Sequence, residues 1–370
     1  MIHRNLSQPR ATEWRHPSMD HNAASPRRLA HRAALLVTTI LLAACGGAAQ
    51  PSASHLDPST APTSRNVPPT ASPAPTSPAG PSPVALPSMA IEAALPVAWE
   101  QAGPSAERSW TWTPAVDPEG RVWAASSFDD MFWVFDREGT FLEAWGTPGR
   151  DEGEFRLNDG TNGFGAIAFR PDGGFYVADS GNARIQQFDA DRKHVRTWGA
   201  FGTEPDSLIA PIGIELDAAG DVYVYDDNGR GELKQFGPDG AFRRIAASAV
   251  GPYMGVAPDG SIVAFDHLTG TLVRMAPDGS RNLALDISAL MTFATDIAIA
   301  PDGRIFVASS TGGGNVFEYE HLIELTPDGD VAHVWPDGAE GIALDAAGDR
   351  AYLTFSDKNP AVRAVELPGS

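Results

Sequence analysis

A single cysteine stands in this chain of 370 residues, which excludes a disulfide framework and any zinc site built from cysteines. Positive charge is scarce: 27 Lys+Arg face 47 Asp+Glu, for a net charge of −20. The imbalance is uneven, since the residues before Pro96 carry +3 and the remainder −23. A domain this acidic repels phosphate backbones, so nucleic acid is not expected as a partner. There is no HExxH, no GxSxG and no phosphate-binding loop with its lysine, because Gly312-Gly313-Gly314 has no lysine after it. The histidines of the acidic part, His194, His267, His321 and His333, are scattered along the chain. A histidine-based site would need them to converge across the fold.

What the chain does have is a repeat. The copies read DPEGRVWAA from Asp117, RPDGGFYVAD from Arg170, DAAGDVYVYD from Asp217, APDGSIVAFD from Ala257, APDGRIFVAS from Ala300 and DAAGDRAYLT from Asp345. Their glycines, Gly120, Gly173, Gly220, Gly260, Gly303 and Gly348, are spaced by 53, 47, 40, 43 and 45 residues. A period near 45 built from short alternating strands predicts a propeller blade, which must stack on neighbours to bury its apolar faces. Each blade reads as strands a to d. A short apolar strand a is followed by the glycine turn, which needs a positive φ, and then by a β-branched and aromatic strand b. A second turn, at Gly139, Arg192, Gly240, Gly279 and Gly329, follows the first by 19, 19, 20, 19 and 26 residues. The larger last value marks an insertion around Ser310–Glu318.

The stretch GAIAFRPDGGFYVADSGNARIQQFDADRKHVRTWG, from Gly165 to Gly199, resembles an NHL repeat, and the other blades match more loosely, the last three mainly through their turns. The resemblance implies an all-β, six-bladed β-propeller of four-stranded antiparallel blades that serves as a binding module. The sixth blade lacks a strand d, because the chain ends three residues after Leu367. Pro96-Val97-Ala98-Trp99 resembles the outer strands ending at Trp145 and Trp198, so the amino-terminal strand is expected to close the ring and remove its open edges.

Upstream, Arg27, Arg28 and Arg32 precede the apolar run Ala33–Ala44, which is too short for a bilayer span of roughly 20 residues. The run ends in Leu42-Ala43-Ala44-Cys45, which resembles the lipobox of bacterial lipoproteins. That resemblance implies cleavage before Cys45, lipidation of Cys45 and a membrane-anchored protein of the cell envelope, with residues 1–44 as signal peptide and Met19 as an alternative start. From Gly46 to about Leu95 the chain is Pro, Ser, Thr and Ala with 11 prolines and three charged residues, which predicts a disordered stalk. As a flexible coil it would span roughly 35–42 Å. The propeller is expected over 96–370.

Within the propeller, the a–b and c–d turns share one face and are stereotyped. The b–c and d–a connections share the other face and vary in length, so function is expected there. Its acidic residues include Asp129, Asp130, Asp159, Asp179, Asp226, Asp227, Asp266, Asp296, Glu340 and Asp357, with His267 beside them. They predict a recognition face for a protein or small-molecule ligand. Asp226, Asp296 and Glu340 are the candidates for a divalent cation, calcium or magnesium, because these ions take oxygen ligands. Six-bladed lactonases of the gluconolactonase type hold such an ion with a Glu, an Asn and an Asp at the central mouth. Similarity to them would place Glu340 and Asp296 in that role, whereas their Asn-Gly motif is out of register here, with Gly165 and Ala166 in its place and Asn162 upstream. Two functions follow as expectations: an anchored binding or scaffold module, and a metal-dependent lactonase or lyase.

Overall fold

Each repeat folds into one blade, a four-stranded antiparallel sheet, and six blades follow one another around a ring. The computed structural model describes residues 82–85, 89–104, 111–158, 164–248, 250–266, 269–311, 319–356 and 361–369. These all belong to one compact unit, Pro73–Ser370. Cys45 and its apolar run, most of the Pro-rich segment, Asp159, Asn162, His267, Gly312–Gly314 and Asp357 lie outside the described residues. Among the described residues no helix is long and apolar enough to cross a membrane.

The innermost strands are Thr111–Val116, Ala166–Phe169, Pro211–Leu216, Met254–Val256, Phe293–Ile299 and Gly341–Leu344. Strand b of each blade is sandwiched between two neighbouring blades. Phe175–Asp179 and Val222–Asp226 are therefore buried at every position, and their sequences are nearly continuous in apolar residues. The core lies between blades. Trp123 and Phe132 of the first blade meet Phe175 and Phe188 of the second in one cluster. Phe175 and Phe188 stack with ring centroids 5.0 Å apart.

The second-turn glycines serve that packing as well as the turn. Gly139 has φ +87°, and a Cβ there would lie 2.5 Å from Trp99 of the preceding blade. Gly240 stands in the same relation to Trp198. In the second blade Arg192 holds this place at φ 63°. Its guanidinium lies 4.8 Å from the Trp123 ring and 2.8 Å from Glu143, contacts that offset the backbone strain.

The ring closes as the repeats require. Val97–Gln101 pairs antiparallel with Val362–Glu366, in the register Val97↔Val365 and Gln101↔Val362. Trp99 then packs near Phe135 of the first blade and Tyr352 of the last, and its indole N–H donates to the Arg137 carbonyl at 2.8 Å. The docked chain begins earlier than Pro96. Val84–Ala85 adds a parallel strand to the outer edge of the fourth blade, beside Leu285 and Asp286. Met89 packs on the core between blades four and five, and the Glu92 amide donates to Val334 O at 2.8 Å. Leu95 is buried, with its amide donating to Asp337 Oδ2 at 2.8 Å.

Candidate functional site

The six innermost strands pair with a neighbour on one side only, so their other edges line a central channel. Counting back from each first-turn glycine orders the channel wall. Seven residues before it stand Thr113, Ala166, Gly213, Tyr253, Asp296 and Gly341. Five residues before it stand Ala115, Ala168, Glu215, Gly255, Ala298 and Ala343. Most of these are small, which keeps the channel open, and the exceptions are where chemistry can sit.

Among the described residues, two cavities lie along the channel. The one toward the variable loops encloses about 80 Å³ and is walled by Tyr253, Asp296 and Glu215 together with apolar side chains such as Phe164. The one toward the stereotyped turns encloses about 300 Å³ and is walled by all six residues of the second set. Pro114, Ile167, Glu215 and Ile342 belong to both walls, so they form the neck, and Glu215 is the ionisable one among them.

Asp296 is held from two sides. Its Oδ1 accepts the amide of Ile297 and its Oδ2 the amide of Ile342 in the next blade, both at 2.9 Å. Glu340, which leads into the innermost strand of the sixth blade, is 2% exposed. It is hydrogen-bonded to the Tyr319 hydroxyl, and its Oε2 is buried without a hydrogen-bond partner. Burial pushes the Asp296 carboxyl up to about 7 against the pull of its two amide donors. Burial and then the charge of Asp296 push Glu340 up to about 8, with Tyr319 working against them. The same two causes raise Glu215 to about 8. Asp296 and Glu215 keep a little accessible surface along the channel, but protein surrounds them on every other side, so confined water solvates their charge poorly. Tyr253 is raised by burial and then by Glu340 and Asp296. Two carboxyls, Glu215 and Asp296, and the Tyr253 phenol thus share the mouth wall, and the buried Glu340, hydrogen-bonded to Tyr319, couples to Asp296.

The structure therefore brings Asp296 and Glu340 together and adds Glu215, Tyr253 and Tyr319. It uses most of the other described acidic candidates to fasten loops. Asp226 is fully buried. Its Oδ1 accepts the amides of Ile209 and Ala210, and its Oδ2 pairs with Lys234 at 2.8 Å, so it takes no part in the mouth wall. Asp179, also fully buried, accepts the Arg156 amide at 2.7 Å and pairs with Arg184 at 2.7 Å. Asp130, with φ 52°, accepts the Leu157 amide at 2.7 Å. Asp129 accepts the Ser126 hydroxyl at 2.9 Å, Asp227 is exposed, and Asp266 accepts the Thr269 amide at 3.3 Å. Hydroxyl-to-carbonyl bonds, Thr113 to Gly165 and Thr295 to Ala339, tie neighbouring blades around the mouth.

Asn162, upstream of the place of the lactonase Asn-Gly motif, lies outside the described residues. Among the described residues no three His, Cys, Asp or Glu side chains gather in a way that could hold a metal ion. Asp296, the central acid, already gives both oxygens to backbone amides.

Comparison with known proteins finds no matching family model and no matching curated protein. Solved structures do match. A gluconolactonase from Xanthomonas campestris aligns at 15% identity and TM-score 0.55, over 74% of this chain and 89% of that one. A putative gluconolactonase aligns at 15% identity and TM-score 0.50, over 74% and 96%. A streptogramin B lyase aligns at 13% identity and TM-score 0.49, over 73% and 87%. The likeness is one of fold. At these identities it makes the chain a six-bladed propeller with gluconolactonase-like neighbours, and the residues of the mouth must carry anything further.

Proposed function

We propose that this chain is an enzyme of the lactonase type that opens a small, uncharged cyclic ester at the channel mouth, with Asp296 as general base and Glu340 as general acid. The observation that carries this reading is the coupling of Asp296, which shares the mouth wall with Glu215 and Tyr253, to the buried Glu340, with both carboxyls pushed up toward neutral pH. Carboxyls tuned to that range can both hold and release a proton at working pH. The lactone-acting neighbours of the fold agree with it.

The roles follow from the surroundings. Asp296 is the more readily ionised of the two, because its amide donors stabilise the carboxylate. It would take a proton from a water molecule as the water oxygen bonds to the ester carbonyl carbon. Glu340 would give its proton to the ring oxygen as the C–O bond breaks, leaving a hydroxy acid, and a proton passed from Asp296 to Glu340 restores the pair. An anionic substrate would be repelled by the same groups, so a neutral ring is the class that fits. Addition of calcium or magnesium, followed by chelation, tests whether the mouth also takes a divalent cation.

Glu340→Gln and Asp296→Asn are each expected to lower kcat/KM for the best lactone of a neutral panel by roughly 100-fold or more. Unfolding midpoints near that of the parent would show that the fold is kept. A panel without turnover, or full activity in both variants, rejects the reading and leaves the propeller as a binding module.

We propose that Cys45 is lipidated and holds an NHL-type propeller at an envelope membrane, on the strength of the lipobox-like Leu42-Ala43-Ala44-Cys45. Each buried acyl CH₂ contributes about 0.8 kcal/mol, so two or more chains anchor stably. Cys45→Ser should leave an uncut precursor and abolish labelling by a fatty-acid probe. Normal cleavage and membrane retention in that variant would reject the anchor.

A further inference from the structure

The mouth has two unlike sides. In a ring of six, blade two faces blade five across the axis and blade three faces blade six. Asp296 belongs to blade five and Glu340 leads into blade six, so both acids of the proposed reaction lie on one side. The wall across from them is largely apolar. Phe164 leads into the innermost strand of blade two, while Ile212 and Met254 lie on those of blades three and four. The ionisable groups on that side are Tyr253 and, at the neck, Glu215. The Thr113 hydroxyl is already donated to the Gly165 carbonyl at 3.0 Å, and Asp296 gives both oxygens to amides. The mouth therefore exposes mostly apolar surface. The turn-side cavity is the reverse, mainly polar, because its Ala and Gly side chains leave strand backbone bare.

We propose that the substrate is a lactone whose ring carries a short alkyl chain, with the ester beside Asp296 and the chain lying across the mouth against Phe164, Ile212 and Met254. This deepens the lactonase reading of the mouth and rests on it. Each methylene that leaves water for the apolar side adds to transition-state binding without needing a polar partner. A polyhydroxylated ring would bring several hydroxyls to a wall whose Thr113 and Asp296 are already engaged. Each hydroxyl buried there without a partner loses its hydrogen bonds to water and gains none. The mouth cavity is small, about 80 Å³, which limits the chain to a few carbons.

The test compares γ-butyrolactone with its γ-methyl, γ-ethyl and γ-propyl derivatives on the full chain, with glucono-δ-lactone as the hydroxylated counterpart. Along the alkyl series kcat/KM is expected to rise roughly three- to four-fold per added carbon, with glucono-δ-lactone below the γ-propyl compound. Ile212→Thr and Met254→Gln, in variants that keep the parent's unfolding midpoint, should flatten the rise. The 2-alkylcyclopentanones keep the ring and carbonyl but have no ester to cleave, and calorimetry should find their affinity rising in the same order. A flat or falling lactone series, or glucono-δ-lactone turned over faster than every alkyl lactone, would overturn the proposal and leave the lactonase reading standing. An undiminished rise in both variants would place the chain elsewhere and overturn it too. Ketone binding that tightens with chain length, with no turnover of any lactone, would reject the lactonase reading and the lactone substrate together, leaving an apolar ligand site.

Discussion

A chain begun at residue 103 should unfold at least about 10 °C below one begun at residue 82, and should aggregate where the longer chain stays soluble. The shorter protein loses Val97–Gln101, the outer strand of the last blade, and exposes the edge of Val362–Glu366. It also loses Trp99, which covers the joint between the first and last blades and fills the space above Gly139. Removing one such aromatic from a packed joint costs about 3–5 kcal/mol, and each kcal/mol moves the midpoint of a domain this large by about 2–4 °C. A chain begun at Pro96 should fall between the two, because it keeps the closing strand and loses the docked Leu95 and Glu92. Trp99→Ala in the longer chain isolates the aromatic contribution. Equal midpoints for the starts at 82 and 103 would mean that the ring is held by the other five blade joints alone.

The ring and its closure were legible in the sequence because both rest on local chemistry. Glycine turns at a near-constant period and an orphaned last strand leave few other ways to bury the blades. The docking of Val84–Ala85 was not legible, since two small apolar residues in a proline-rich stretch carry no repeat. The site was half legible. The placement of Asp296 and Glu340 near the axis could be read from the sequence, because acids near the start of an innermost strand must approach it. Glu215 was overlooked, although a signal existed: the position five before the glycine is Ala or Gly in the other five blades, and a lone Glu there has no turn or cap to serve. Asp179 and Asp226 drew attention as loop acids, but counting acidic residues cannot tell a free carboxylate from one that fastens a loop. That distinction depends on the backbone amides of the preceding connection, which come close only once the blade is folded.

The acids of the mouth should also make the protein less stable as pH rises from about 5 to 9. Glu215, Asp296 and Glu340 titrate near 7 to 8 in the folded protein and start from 4.5, 3.8 and 4.5 in an open chain. Between those limits the folded chain holds protons that the unfolded chain has released, so raising the pH favours unfolding. The stability contributed by neutral mouth carboxyls is therefore complete below about pH 4 and lost as pH passes through about 7 to 8. Asp130 and Asp179, raised chiefly by burial, add to the same slope. The turn carboxyls Asp259, Asp278, Asp286 and Asp302 are shifted down, so their influence falls below pH 4, outside this window. Glutamine copies the neutral acid. Glu215→Gln and Glu340→Gln should match the parent at pH 5 in urea unfolding and exceed it at pH 9. The double variant should do so by less than the sum of the singles, since Asp296 couples to both. A parent whose stability is flat or rising over this range would show that the mouth carboxylates are well solvated or neutralised in the folded protein, and with that the acid–base pairing assigned to Asp296 and Glu340 would lose its basis.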